Sequence, residues 1–162
     1  MRRSALKSAP VPLNSGAAQD KGAGWAFLHA ALAVYEATKK PEYLDWARDA
    51  GDWTLTWYVM YDMPLPPSSL LHGFVNTTGW TAISVQNQEL DCFGQFLAPD
   101  YYRLGKYLGD QRYENVGRML LYAPTQAIAR PGAMLGLKRP GMELEHFNHT
   151  NCTYIRNGAW RG

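Results

Sequence analysis

The feature that most constrains the fold is a segment that occurs twice, at an offset of 70 residues. Residues 43–48 read YLDWAR and residues 113–118 read YENVGR, so the tyrosine and the arginine coincide and the apolar rhythm continues after each copy. A short turn precedes each copy, at residues 38–41 and 108–111. Repeated helical segments are typical of proteins built from stacked helical hairpins. The repeat therefore predicts two similar hairpins of helices.

Apolar residues recur with helical spacing in four segments. The predicted helices cover roughly residues 24–36, 41–61, 82–104 and 111–129. Pro41 suits the start of the second helix, and the three prolines after residue 63 end it, since proline cannot continue a helix. Later Pro-Gly pairs predict an irregular segment, with a short helix or turn near residues 142–148. We predict an all-α fold of antiparallel helical hairpins, without strands.

Composition divides the chain at about residue 21. Residues 1–21 are polar, contain proline and glycine and lack periodicity, so we predict an irregular N-terminal segment. Residues 22–162 form the predicted domain, with two hairpins followed by a loop-rich C-terminal segment. The chain is long enough for one domain, and its apolar content of 46% is enough for a core.

Charge and motifs exclude several classes of protein. The net charge is +2, and no run of lysine and arginine is long enough to follow a nucleic-acid backbone. No stretch approaches the roughly 18 apolar residues of a membrane span. No nucleotide-binding glycine motif is present, so we predict no organic cofactor. Cys92 and Cys152 fit no zinc or redox spacing; Cys92 is predicted to be a buried thiol, and its pairing with Cys152 is left open.

The first copy of the repeat carries a family pattern. Residues 37–47 read ATKKPEYLDWA and are followed by Asp52 and Trp53. This order of a short turn, Tyr-Leu, Ala and Trp resembles the hairpins of the six-hairpin glycosidase-like enzymes, which are (α/α)6 toroids. The resemblance covers about residues 22–130. It implies that the first and third helices are inner, that the cleft lies at their N-terminal ends, and that the remaining hairpins lie outside this chain.

That placement implies three site residues. Asp20 precedes the first inner helix and could supply a carboxylate. Trp25 and Trp80 would lie near the N-terminal ends of the inner helices and could stack on sugar rings, although packing in the core is the alternative for each. The substrate implied by the resemblance is an oligosaccharide or a polysaccharide.

On a helix, residues 83–98 would present a polar stripe that includes Asn87, Gln88 and Asp91. The stripe is either a solvated face or the lining of a cavity. Amide side chains donate and accept together and so bind hydroxyl groups, and Asp91 could act as an acid or a base. Glu89 falls in the apolar arc, where it could be a general acid or form a buried salt bridge to an arginine of a neighbouring helix.

Glycoside hydrolysis usually needs two carboxyl groups. Glu89 and Asp91 would point in different directions on a helix, which makes them a poor pair. The sequence offers other partners for either residue: Asp20, Glu143 and Glu145.

Histidines complete the candidate set. His72 lies in the loop between the two hairpins, and His146 and His149 follow the fourth helix. Each could contact a ligand or lie on an ordinary surface. The spacing of His146 and His149 matches no fixed set of ligands, so we predict no metal site.

These observations predict a carbohydrate-active enzyme, a glycoside hydrolase that uses carboxylate acid/base chemistry. One alternative is a polysaccharide lyase, for which Tyr101, His146 or His149 could be the base. Another is a helical-repeat module that binds carbohydrate without catalysis.

Overall fold

The computed structural model describes residues 21–67, 69, 71–82 and 89–148. Most of this part of the chain is helical, which confirms the predicted class. The four α-helices are α1 (Lys21–Thr38), α2 (Pro41–Leu55), α3 (Ala98–Leu108) and α4 (Gln111–Tyr122). A 3₁₀ helix (Phe93–Leu97) leads into α3, and another (Ala123–Ala127) continues from α4. Helix α1 packs against α2 and α3 packs against α4, so the two predicted hairpins are present.

The repeat extends to the geometry of the turns. Lys39 and Gly109 occupy equivalent positions at the end of α1 and α3, and both have a left-handed backbone, with φ of 55° and 65°. The Lys39 N–H donates to the carbonyl oxygen of Tyr35 at 2.7 Å, and the Gly109 N–H donates to that of Gly105. This is the left-handed C-cap that ends many helices. Each hairpin therefore turns by the same local mechanism.

Two apolar clusters form the core. The first lies between the helices and contains fully buried side chains of Leu28, Leu32, Tyr101, Leu104 and Leu120. The second lies beneath the segments that connect and follow the hairpins, and it contains Leu65, Leu71, Val75, Trp80, Leu90 and Leu144. The segments outside the helices are therefore packed against a core of their own.

The two hairpins are also joined by polar contacts. Arg103 of α3 donates to Glu36 of α1 at 2.8 Å and forms an ion pair with the buried Asp100. Tyr107 donates to Glu36 at 2.8 Å, and this hydrogen bond, with the charge of Arg103, lowers the pKa of Glu36. Tyr101 donates its hydroxyl hydrogen to the carbonyl oxygen of Gly51 in α2 at 2.7 Å.

A small antiparallel sheet corrects two predictions, that the fold has no strands and that a third helix covers residues 82–104. Its strands are β1 (Thr81–Ala82), β2 (Glu89–Asp91) and β3 (His146–Asn148), in the order β1-β2-β3. Both predictions failed because periodicity alone does not distinguish a short buried strand from a helix. Pro99 lies in the first turn of α3, where proline is tolerated, and in the interior of a longer helix it would remove a hydrogen bond.

Other predicted boundaries also change. Helix α1 begins at Lys21, so the irregular N-terminal segment was drawn one residue too long. Helix α2 ends at Leu55 and not near residue 61, because Val59 instead donates a backbone hydrogen bond to Trp80 at 2.9 Å, beside β1. The short helix or turn predicted near residues 142–148 is replaced at its end by β3. Within the described ranges, no helix combines the length and apolar character needed to cross a bilayer.

Close packing of α3 on α4 gives a first prediction. A Cβ atom at Gly117 would lie 2.6 Å from the carbonyl oxygen of Ala98 and 2.9 Å from the amide nitrogen of Tyr102. These are backbone atoms that cannot rotate away. We therefore expect Gly117→Ala to lower the free energy of unfolding by about 2 kcal/mol, although alanine is the better helix former. Urea denaturation followed by circular dichroism measures the change.

The control is Gly109→Ala, where a Cβ atom would meet nothing within 4 Å. Only the left-handed backbone opposes that change, at a cost of about 1 kcal/mol. A loss at Gly117 no larger than the loss at Gly109 would contradict the close approach of the two helices.

Candidate functional site

The register of the sheet brings three predicted site residues together. Asp91 pairs with Thr81 on one side and with His146 on the other. Directly paired residues lie on the same face, and so do residues two apart on a strand, which adds Glu89. The expectation that Glu89 and Asp91 point apart is wrong, because it assumed a helix. Glu89 and Asp91 are buried, and His146 is half-buried.

A buried lysine completes this group. The ammonium of Lys21, the first residue of α1, forms an ion pair with Asp91 Oδ2 and donates to Thr81 Oγ1 at 3.2 Å. The hydroxyl of Thr81 and the backbone N–H of Phe93 both donate to Asp91 Oδ1. Lys21, Thr81 and Asp91 are 6%, 0% and 2% exposed. Both carboxylate oxygens are therefore bonded, and the N-terminus of α1 is fixed to β1 and β2.

Sequence reasoning missed Lys21, although a signal for it existed. Lys21 and Asp91 are 70 residues apart, which is the offset of the repeat. They therefore stand at equivalent positions before the bodies of the two hairpins. Opposite charges at equivalent positions of a repeat could have been tested as a pair.

Aromatic rings surround the ammonium group. Lys21 Nζ lies 5.1 Å from the ring centroid of Trp25 and 5.9 Å from that of Phe93. These are cation–π distances. Trp25, predicted to stack on a sugar, is half-buried and lies against the ammonium. Trp80 is 1% exposed and belongs to the second core cluster. Its position therefore matches the alternative considered for it, packing in the core.

Tyr58 adds a buried hydroxyl to the group. Burial raises the pKa of Tyr58 and the negative charge of Asp91 raises it further, so this side chain stays neutral. Within the described part of the chain, neither the Tyr58 hydroxyl nor the Trp25 indole N–H has a hydrogen-bond partner. Buried polar groups are normally bonded to protein or to water. Both groups are shielded from solvent and lie beside each other, since the Trp25 indole offsets part of the rise in the pKa of Tyr58.

His72 lies apart from this group, in an open cleft of about 360 Å³. Its Nδ1 is 2.7 Å from the carbonyl oxygen of Leu65, so Nδ1 carries the hydrogen and, in the neutral ring, Nε2 is an acceptor. The cleft is lined by Asp62, Met63, Pro64, Leu65, His72, Gly73, Phe74, Val75, Asn76 and Gln126.

Hydrogen bonds fix the walls of the cleft. Thr77 Oγ1 accepts from the N–H of Met63 at 2.6 Å, and the Thr77 N–H donates to Asp62 Oδ1 at 3.0 Å. Gln126 accepts from the N–H of Asn76 at 2.9 Å and donates to its carbonyl oxygen at 3.3 Å. These hydrogen bonds hold Met63 and Asn76, which both line the cleft, in place.

The remaining predictions divide into three groups. Asp20, Asn87, Gln88 and His149 lie outside the described residues. Tyr101, considered as a lyase base, is fully buried in the helical core, so it cannot reach a substrate. Burial also raises its pKa. Cys92 is a free, buried thiol, as predicted, and burial raises its pKa to about 12.

No group of three or more His, Cys, Asp or Glu side chains among the described residues is placed to hold a metal ion.

The fold and the site define a mostly helical protein of two hairpins, with a buried Lys-Asp pair where a small sheet meets the first helix. The chain matched no protein-family model, no curated protein and no solved structure.

Proposed function

We propose that this chain is part of a carbohydrate-active enzyme, a glycoside hydrolase, whose general acid is a carboxyl group on β2. The observation that carries the proposal is the placement of two buried carboxyl side chains, Glu89 and Asp91, on one face of a strand. Hydrolysis of glycosides usually uses a pair of carboxyl groups.

We assign the two carboxyl groups different roles. Asp91 binds Lys21 and Thr81, so it holds the site together and orients its neighbours. Glu89 is the proposed general acid: it gives its proton to the leaving oxygen as the glycosidic C–O bond breaks. A second carboxylate takes a proton from the water that adds to the anomeric carbon. Asp20, which precedes Lys21 in sequence, is the candidate for that base.

The proposed architecture is a part of an (α/α)6 toroid in which α1 and α3 are inner helices. Lys21 is the first residue of α1, and β2 comes just before the 3₁₀ helix that leads into α3. The polar group therefore lies at the N-terminal ends of both helices, which is where the resemblance places a catalytic cleft. Two hairpins cannot close such a ring, so the proposal requires further hairpins.

Two measurements test the proposal. The intact mass of the protein from its natural source should be several times the 18.2 kDa of this chain. That protein should release reducing sugar from at least one member of a panel of oligosaccharides and polysaccharides. Cleavage that leaves an unsaturated sugar, detected by its ultraviolet absorption, would favour a lyase instead. A mass near that of this chain together with binding but no cleavage would favour a non-catalytic carbohydrate-binding module.

A further inference from the structure

We infer that the open cleft around Asp62, His72 and Phe74 is a binding site for a short, neutral saccharide. It shares no residue with the group around Asp91. The inference extends the proposed function, on which its choice of ligand class rests, by giving the protein a second place to hold carbohydrate. Four properties of the cleft support it: its open polar groups, its charge, its aromatic surface and its size.

Three polar groups of the cleft remain open to a ligand. Asp62 uses Oδ1 to accept from Thr77, which leaves Oδ2 as an acceptor. Asn76 uses Oδ1 to accept from the N–H of Thr78 at 2.8 Å, which leaves its amide N–H₂ as a donor. His72 presents Nε2. A mixture of donors and acceptors at fixed positions matches hydroxyl groups, which both donate and accept.

The charge of the cleft argues against anionic ligands. Asp62 is the one fully charged side chain among the described residues that line it, and these described residues include no lysine and no arginine. Phosphate and acidic peptides are recognised by lysine and arginine. A neutral ligand that accepts from Asn76 and donates to Asp62 needs no lysine or arginine and is not repelled by the charge of Asp62.

An apolar surface lies next to these polar groups. Phe74 is 43% exposed at the cleft, and the buried side chains of Leu65 and Val75 form part of its wall. A sugar ring has a C–H face that packs on an aromatic ring while its hydroxyls bind polar groups. An exposed phenylalanine beside fixed donors and acceptors is therefore suited to that ligand.

The size of the cleft limits the ligand. About 360 Å³ lies near the lower end of the range for small-molecule sites, which is roughly 300–1,000 Å³. The cleft therefore suits a short saccharide and not a long stretch of polymer. Because hydrogen bonds already hold its walls, binding requires little rearrangement.

The test compares two phenylalanine variants of the intact protein. Methyl glycosides of glucose, galactose, mannose, xylose and arabinose are titrated in turn, with binding followed by saturation-transfer NMR and calorimetry. We expect Phe74→Ala to weaken the binding of at least one of them by on the order of tenfold, because it removes the stacking surface. The control, Phe96→Ala, removes another phenylalanine that is 65% exposed and does not line the cleft, so binding should not change.

A second variant tests the polar contacts. Asp62→Asn keeps an oxygen for Thr77 and removes the charge, and it should weaken the same glycoside several-fold. Equal affinities for Phe74→Ala and Phe96→Ala would overturn the inference. So would binding of inorganic phosphate or tetramethylammonium in the cleft without binding of any glycoside.

The outcome separates this inference from the proposed function. Glycoside binding that depends on Phe74, in a protein that cleaves no glycan, would support the cleft and reject the hydrolase. Cleavage with affinities and KM values that are the same in Phe74→Ala and Phe96→Ala would reject the cleft and support the hydrolase.

Discussion

Replacing Lys21 by methionine lowers the free energy of unfolding by about 3–5 kcal/mol, the expected result for breaking a buried ion pair. Methionine keeps most of the apolar stem but removes the ammonium group. Asp91 is 2% exposed, so its carboxylate is left without this cation in a place where water cannot replace it. The hydrogen bonds from Thr81 and Phe93 remain and offset only part of the loss. Urea denaturation followed by circular dichroism provides the measurement.

A surface lysine provides the control. Lys106 also pairs with a carboxylate, that of Glu114, but it is 55% exposed and Arg118 lies near the same carboxylate. Exposed pairs contribute little to stability, so Lys106→Met should leave the urea midpoint almost unchanged. Similar midpoints for Lys21→Met and Lys106→Met would contradict the importance of the buried pair.

A double variant tests whether the effect belongs to the pair. Lys21→Met with Asp91→Asn removes both charges, so neither is left buried without its partner. Its loss of stability should be smaller than the sum of the two single losses, because the two residues interact directly. Strictly additive losses would show that Lys21 and Asp91 stabilise the fold independently.

The helical hairpins could be predicted from the sequence because their signals are local. The spacing of apolar residues and the left-handed turn before Pro41 depend on residues close in the chain. The sheet could not be predicted in the same way. Its strands are two or three residues long, and β2 pairs with a strand more than 50 residues later. Pro99 was the available evidence against a continuous third helix, because proline in the interior of a helix removes a hydrogen bond.

The reason for which the sequence analysis selected two carboxyl groups of the candidate site is replaced by the structure. Asp91 and Glu89 were selected from opposite arcs of a helix, whereas they share a face because they lie on a strand. Trp80 and Tyr101 illustrate a different difficulty. Tryptophan and tyrosine occur both in cores and in sugar-binding sites, and composition does not distinguish the two. Their burial depends on contacts between distant parts of the chain.

Glu89→Gln should reduce kcat for glycan cleavage by about a hundredfold to ten-thousandfold, the usual contribution of a general acid. Glutamine has nearly the same shape but cannot donate the proton that the leaving oxygen needs. Asp91→Asn should reduce activity and stability together, because Asp91 forms the ion pair with Lys21. The two variants therefore differ in the ratio of lost activity to lost stability, which enzyme assays and urea denaturation measure on the same samples.

The leaving group provides the decisive comparison for Glu89. Dinitrophenolate is a good leaving group and departs without protonation. A variant that lacks only the general acid should therefore cleave a dinitrophenyl glycoside far better than it cleaves a natural glycan. Glu42→Gln is the matched control, since that carboxylate is exposed in the first turn of α2, away from the sheet, and should not affect either substrate. Equal losses on both substrates in Glu89→Gln would show that Glu89 positions the substrate and does not supply the proton. Unchanged cleavage of both would remove Glu89 from the reaction and reject it as the general acid.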